Sequence, residues 1–296
     1  MCIRDSTSSY ASYGAVNVTY IQIPGSVTEI GRGAFEGAGY NTYLSLSIAN
    51  GVKTINDDAF NSSGLTSISI PGSVTSIGGG AFRSCSKLTS VVTKNVKEMG
   101  TGIFADCDKL TSVNLNSGLQ LIGSWTFNGC CALQTVDIPS SVTSIGDRAF
   151  YNCDRLENVK LHSGLKTIGA WAFKYSDNVK KLTIPSSVTS IGGDAFSSNT
   201  TLNVFADSTG LRYAFANGYN YTVVSEGLRR APNGNWYYYV GDEVDWTYTG
   251  MAYANNRWWY VQKGKINYNY TGMAYGNGRW WYFSNGAINF KYTGMA

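Results

Sequence analysis

Hydrophobic positions recur with a fixed period over the first two thirds of the chain. Phe35, Phe60, Phe82, Phe104, Phe127, Phe150, Phe173 and Phe196 follow one another at intervals of 25, 22, 22, 23, 23, 23 and 23 residues. The fullest copies read LTSISIPGSVTSIGGGAFRSC (65–85), LQTVDIPSSVTSIGDRAFYNC (133–153) and KLTIPSSVTSIGGDAFSSN (181–199). They condense to L-x-x-V-x-I-P-x-S-V-T-x-I-G-x-x-A-F-x-x-C, and a fixed period of this length is the signature of a stacked repeat architecture. The opening L-x-x-V-x-I alternates apolar and polar residues with β-branching, which predicts one short strand per unit. Because each strand returns in the same direction, the strands pair in parallel as a right-handed coil. At about 4.8 Å per turn, eight units make a rod about 40 Å long, with Leu, Ile, Val and Phe forming inward ladders.

Three further positions refine this picture. Glycine follows the second apolar segment at 31, 78, 100, 123, 146, 169 and 192, with Asn56 in the remaining unit. Since Gly tolerates a left-handed backbone and Asn is next best, this corner is expected to have φ > 0. Cys85, Cys107, Cys130 and Cys153 each lie three residues after the Phe, in a slot that Ser63, Ser176 and Asn199 fill elsewhere. A slot that accepts Ser and Asn needs no crosslink, so a buried ladder of free thiols is expected, with Cys131 pointing outward. After the eighth unit, Ser208 or Asp207 is placed to cap a short helix ended by Gly218, whose Leu211, Tyr213, Ala214 and Phe215 would cover the last coil. Tyr221–Val224 then reads as one more strand, as the exposed end of a stacked array requires. No equally clear cap precedes the first unit, which predicts that the array began earlier.

A second period follows. Trp236, Trp258 and Trp280 are 22 residues apart, as are the TGMA segments beginning at 249, 271 and 293. Each copy runs from an aromatic strand through Lys-Gly or Asn-Gly to a second strand and then Tyr-Thr-Gly, and such a turn dipeptide between strands predicts a β-hairpin. Adjacent Trp residues in a strand point to opposite faces, so one of each pair is expected to be exposed or to lie in a groove between hairpins.

Composition narrows the chemistry. The 296 residues are 43% apolar and only 14% charged, with 34 Gly, 21 Tyr and 8 Trp, which fits neither a charged disordered polymer nor a coiled coil. Lys plus Arg at 23 against Asp plus Glu at 19 gives +4, without a basic run, so no nucleic-acid partner is expected. No apolar stretch approaches the ~18 residues of a membrane helix, so no membrane insertion is expected. The segment MCIRDSTSSY lacks the apolar core of a signal peptide, and MCIRDS matches nothing downstream, so residues 1–15 read as a foreign scar or incomplete unit. None of the six cysteines forms a CxxC pair, and His162 is the single histidine, so neither a metal nor a cofactor is expected. His162 stands in the slot of Pro139 and Pro185 and reads as a surface variant; Asp106 and Asp108 flank Cys107 as turn residues; Gly78–Gly80 lacks the Lys-Ser/Thr of a phosphate loop. No catalytic residues are assigned. The solvent side of the strands, including Ser69, Asn114, Asp137, Lys160 and Thr183, is small, polar and free of aromatics; it suits hydrogen-bonded recognition of protein or glycan, or an inert wall.

The first repeat, over residues 16–205, closely resembles the BspA-like (Treponema-type) leucine-rich repeats. The resemblance implies a mainly β, right-handed leucine-rich-repeat solenoid of parallel strands, and a non-catalytic scaffold on the surface of bacteria or protists, often in adhesion. The second, over 234–296, resembles the choline-binding and glucan-binding repeats that hold proteins on Gram-positive cell walls. That resemblance implies a small β-hairpin solenoid whose aromatics box a choline head group or stack on sugar. The matching residues are Trp236, Tyr237 and Tyr238; Trp258, Trp259 and Tyr260; and Trp280, Trp281 and Tyr282. Of these, Tyr237 is the one not assigned to the wall-ligand set. Where the choline motif has Trp after Thr-Gly, this chain has Met251, Met273 and Met295, so one aromatic wall is missing. The organisation expected is a solenoid over 16–205, its cap over 206–226, a linker over 227–233 and wall-binding repeats over 234–296. The function implied is extracellular, wall-associated recognition. Its partners would be wall polysaccharide or a teichoic-acid-like polymer at the hairpins, and a host or bacterial surface protein or glycan at the rod. Two alternatives stand beside it: an accessory piece of a larger secreted enzyme, and a surface spacer that binds nothing.

Overall fold

The computed structural model describes residues 18–231, 235–240, 243–245, 248–254, 257–276 and 279–288. Two compact units emerge, residues 1–203 with 208–221, and 204–207 with 222–296.

In the first unit the L-x-x-V-x-I segments form the expected strands. Ser67–Ile70, Ser90–Thr93, Ser112–Asn114, Thr135–Asp137 and Asn158–Lys160 pair in parallel in chain order, with Val136 opposite Val159. Each coil also carries a second strand, of two residues, at the apolar segment before the glycine. These pair in one parallel sheet of eight, from Glu29–Ile30 to Ser190–Ile191, with Ile122 opposite Ile145. A two-residue strand is too short to show alternation, which is why the sequence revealed only one strand per unit. A third line of coil-to-coil bonds runs through the turns, where Phe60, Phe82, Phe127 and Phe150 donate their amides to Ala81, Ile103, Ala149 and Ala172 of the next coil at 2.7–2.9 Å. Even irregular backbone is thereby satisfied inside the stack.

The eight phenylalanine rings form one column. Consecutive centroids lie 5.1–6.0 Å apart with interplanar angles of 3–15°. All but Phe35 are essentially sealed from solvent. Ring burial on this scale dominates core energetics.

The corner glycines do a different job from the one expected. None of Gly31, Asn56, Gly78, Gly100, Gly123, Gly146, Gly169 and Gly192 has positive φ. A Cβ at Gly169 would instead lie 2.5 Å from the Asp147 amide nitrogen and the Gly146 carbonyl carbon. The glycine is set by the close approach of adjacent coils, because the backbone of one rests on the corner of the next. One column of left-handed residues stands two places later, at Gly33, Asp58, Gly80, Gly102, Trp125, Arg148, Trp171 and Asp194, with φ of 52–64°. Five of these eight carry a side chain, at a cost of about 1–2 kcal/mol each relative to glycine.

The cysteine ladder is present as free thiols. Cys85, Cys107, Cys130 and Cys153 donate to the carbonyls of Phe60, Phe82, Phe104 and Phe127 at 3.1–3.2 Å, and Ser176 does the same to Phe150 at 2.7 Å. In the eighth coil this role falls to the buried Ser197, which donates to Phe173, whereas Asn199 is exposed and bonds to the Asp177 carbonyl. An isolated bridge pairs Phe173 with Phe196 here, and in the eighth coil the inward position falls two residues earlier in the chain than the usual slot. Burial pushes the Cys107, Cys130 and Cys153 thiols well above their ordinary range. Half-buried Cys131 is raised by burial and by nearby Asp154 and Asp108. Cys85 differs: burial raises its thiol, but hydrogen bonds with Cys107 and Ser63 outweigh that and lower it. Since Cys85 is sealed from solvent all the same, access to the reagent, not thiolate fraction alone, separates the five. Of these five, an alkylating reagent applied to the native chain at pH 8 is therefore expected to modify Cys131 alone, with the other four appearing by peptide mass mapping only after denaturation.

At the end of the stack Ser208 caps the helix Thr209–Ala216 by accepting from the Leu211 amide at 3.1 Å. Ala214 is fully buried, and Tyr213 and Tyr219 stand edge-on to Phe196 at 5.8 and 6.1 Å. Phe215 does not cover the coil as expected: it is 77% exposed. At 100° per residue, a helix that buries Gly210 and Ala214 turns Phe215 off the buried stripe. Tyr221–Val224 is a strand, as expected.

The second unit is antiparallel. Glu226–Arg230 pairs with Trp236–Val240, so part of the stretch read as a linker is a strand. The hairpins Arg257–Gln262 with Lys265–Ile266 and Arg279–Ser284 with Ala287–Ile288 turn at Lys263–Gly264 and Asn285–Gly286, all with φ of 48–74°. This is the twist-matching turn the dipeptides predict. Two of the Thr-Gly-Met-Ala segments run into strands, to which the sequence reading assigned no structure: Gly250–Ala254 pairs with Arg257–Gln262, and Gly272–Gly276 with Arg279–Ser284. The third, at 293–296, lies outside the described residues.

Candidate functional site

Three surfaces carry recognition chemistry. The first is the aromatic set of the hairpins. Trp236 and Trp259 pack against a cluster of Leu228, Tyr238, Ala252, Val261 and Ile266, and Tyr238 is only 7% exposed. Trp258, Tyr260, Trp281 and Tyr282 are half-buried. The side chains of Trp280, Met251 and Met273 lie outside the described residues, as does Met295. The structure adds a partner that the sequence did not reveal. Tyr238 stacks on Tyr248 at 3.6 Å between centroids, and one repeat later Tyr260 stacks on Tyr270 at 3.7 Å. A cation held by an aromatic face sits within about 6 Å of a ring centroid, and rings already in face contact admit nothing between them. Any ligand must therefore meet the remaining ring surfaces and edges. Phe283 flanks the Tyr260–Tyr270 pair at 5.9 and 6.0 Å, and the Lys265 ammonium lies 5.7 Å from the Tyr237 ring centre.

The second surface is the strand face. Ser69, Asn114, Asp137 and Lys160 are exposed and Thr183 is half-buried, and the parallel register brings Asp137 directly opposite Lys160. His162 Nε2 lies 2.7 Å from Asp137 Oδ1 across neighbouring coils. Its carbonyl accepts from the Leu165 amide, as those of Pro139 and Pro185 do from Val142 and Val188, so His162 occupies the proline slot that the sequence assigns it.

The third surface went unnoticed in the sequence and lies along the turns. Arg148 is sandwiched between two indoles, its guanidinium carbon 4.5 Å from the Trp125 centroid and 3.6 Å from that of Trp171. Tyr151 leans on Trp125 at 6.4 Å and meets Tyr175 edge-on at 5.2 Å. Lys174 reaches Asp194 at 3.3 Å, and Arg83 reaches Asp106 at the same distance. N-terminal to Trp125 the turn edge opens into a groove of about 590 Å³ lined by Asp57, Asp58, Arg83, Asp106 and Trp125 over a glycine floor. The only signal in the sequence was three bulky residues in the variable positions between Gly and Ala-Phe.

Two family profiles match the chain. The BspA type leucine rich repeat region matches residues 5–130 and 91–203, and the choline-binding repeat matches residues 247–267 and 269–289. Among curated proteins none matches significantly. Solved structures similar to the chain include a leucine rich cell surface protein from Faecalibacterium prausnitzii, at 23% identity and TM-score 0.44, covering 70% of this chain and 60% of that one. A leucine-rich repeat protein from Eubacterium ventriosum is 25% identical with TM-score 0.46, covering 75% and 49%. A leucine-rich repeat protein from Treponema pallidum is 24% identical with TM-score 0.44, covering 69% and 89%. The chain thus spans 60% of the Faecalibacterium protein and about half of the Eubacterium protein.

Proposed function

The chain belongs to the BspA-type leucine-rich-repeat family, and on that premise we propose that it is a non-catalytic cell-surface recognition protein held to the cell wall by its hairpin repeats. The observation that carries the attachment is the choline-binding-repeat match over two consecutive hairpins, in which Trp258, Tyr260, Trp281 and Tyr282 keep part of their ring surface in solvent. Rings at this spacing offer a row of weak sites to a polymer that repeats its own head groups. A cation on one ring face gains about 0.5–2 kcal/mol, and a row of such contacts becomes firm through effective concentration. The ligand is a choline-bearing or related wall polymer, and the site is extracellular. No helix among the described residues is long and apolar enough to cross a membrane.

The test is retention of the full chain on purified Gram-positive walls. The intact chain is expected to sediment with walls carrying choline and to be released by millimolar free choline. The variant carrying both Tyr260→Ala and Trp281→Ala is expected to stay largely in the supernatant. Retention unaffected by choline would move the ligand to the glycan backbone of the wall. No retention on any wall would refute attachment by these repeats.

A further inference from the structure

The turn edge of the first unit repeats one position per coil: Asp58, Gly80, Gly102, Trp125, Arg148 and Trp171 occupy it in succession, all with left-handed backbone. Glycine is the natural residue there. Trp at positive φ is an outlier that persists only when something compensates, and such outliers cluster at functional sites. The Trp125–Arg148–Trp171 sandwich shows what this column accommodates, a guanidinium plane between two flat faces two coils apart, each one coil step from the ion.

The alternation stops at Trp125. One of its indole faces carries Arg148; on its other side along the column stands Gly102, where an added Cβ would meet only the Ala105 methyl within 4 Å. One step further, the Asp58 carboxylate lies directly over Gly80, 2.5 Å from where a Cβ would stand. Asp58 and Trp125 stand three coil steps apart, but the Asp58 carboxylate leans over Gly80. The interval from that carboxylate to the Trp125 ring is therefore about two steps, about 10 Å, with the step at Gly102 left for a single stacked plane. Asp57 and Asp106 stand beside it. The one cation on the lining, Arg83, is held to Asp106 at 3.3 Å, so the groove is left with a net negative charge.

We propose that this groove binds an arginine side chain of a partner protein, whose guanidinium would lie over Gly102, stack on Trp125 and pair with Asp58. The next step of the column is then supplied by the partner. Cation–π attraction and a carboxylate act on the same planar ion, a combination that selects guanidinium over the more strongly hydrated ammonium. The proposal rests on the reading of the first unit as a recognition surface, and places its anchor on the turn edge.

The test titrates the full chain with a peptide carrying three arginines separated by glycines, against the same peptide with lysine and with citrulline, which keeps the plane but loses the charge. Binding is followed by calorimetry. The arginine peptide is expected to bind at least about tenfold more tightly than either control. Trp125→Gly, which restores the residue found at Gly33, Gly80 and Gly102, and Asp58→Asn are each expected to weaken it about tenfold with the thermal melt retained. Asp137→Asn, on the strand face, should leave it unchanged. Equal binding of the citrulline peptide, or arginine binding indifferent to Trp125→Gly and Asp58→Asn, would overturn the proposal. So would a neutral oligosaccharide whose binding alone is lost in Trp125→Gly. Loss of binding in Asp137→Asn with both groove variants intact would return recognition to the strand face and leave the general reading standing.

Discussion

Replacing Phe127 by alanine should cost about 3–5 kcal/mol, the range for truncating a buried aromatic in a core that cannot collapse. Phe127 is fully buried, with Phe104 stacked 5.6 Å away on one side and Phe150 5.2 Å away on the other. In a stacked array stability is close to a sum of terms within coils and between neighbours, and removing a middle ring weakens two interfaces at once. Urea unfolding followed by far-ultraviolet circular dichroism should show an early transition. Because the coils on either side are coupled through this one, the wild-type transition of the first unit should broaden or split in the variant. The comparison that isolates the effect is Phe35→Ala. Phe35 is already 8% exposed and has one ring neighbour among the described residues, Phe60 at 5.1 Å. Its loss should be less than half as large. Equal losses at the two positions would mean that the rings act independently, and that the column is only an incidental alignment.

The phenylalanine column was legible because its cause is local and repeated: one large apolar residue in a fixed slot of every unit leaves it no place but the interior. The same holds for the thiol ladder, since Ser176 and the cysteines make one bond to one carbonyl. What failed was inference from residue type to backbone angle. Glycine at the corner satisfied two physical requirements equally well, positive φ and close approach, and only the distance between successive coils separates them. The Trp125–Arg148–Trp171 sandwich was illegible for the opposite reason. A consensus discards positions that vary, yet stacking turns variation at one position into a surface, and its members lie next to each other only once the coils are superimposed. The stacking of Tyr238 on Tyr248 and of Tyr260 on Tyr270 is hidden in a similar way: each pair meets only after the Thr-Gly-Met-Ala segment is recognised as a strand of the following hairpin.

Gly169→Ala separates the two glycine requirements by experiment and should lower stability by about 3 kcal/mol, the upper part of the usual range for overpacking. The added methyl would stand 2.5 Å from the Asp147 amide nitrogen and the Gly146 carbonyl carbon, and 2.6 Å from Asp147 Oδ1. The first two are backbone and cannot swing aside. The third is a carboxylate that accepts the Ala170 amide at 2.7 Å, so displacing it uncaps a donor as well. The strain has only one outlet, separation of the coils at 146–148 and 169–171, which would lengthen the adjacent bonds from Gly169 to Ile145 and from Arg148 to Ala170, now 2.8 and 2.9 Å. Gly193→Ala is the control: it lies one residue past the equivalent corner, has no positive φ, and a Cβ there meets nothing within 4 Å. It should change stability by less than about 0.5 kcal/mol. Accelerated amide exchange at Gly169 and Arg148 in the first variant, with exchange at Phe60 and Phe82 unchanged, would place the damage at one interface of the stack. If both glycines tolerated alanine equally, the close packing of coil on coil would not be what holds this corner open.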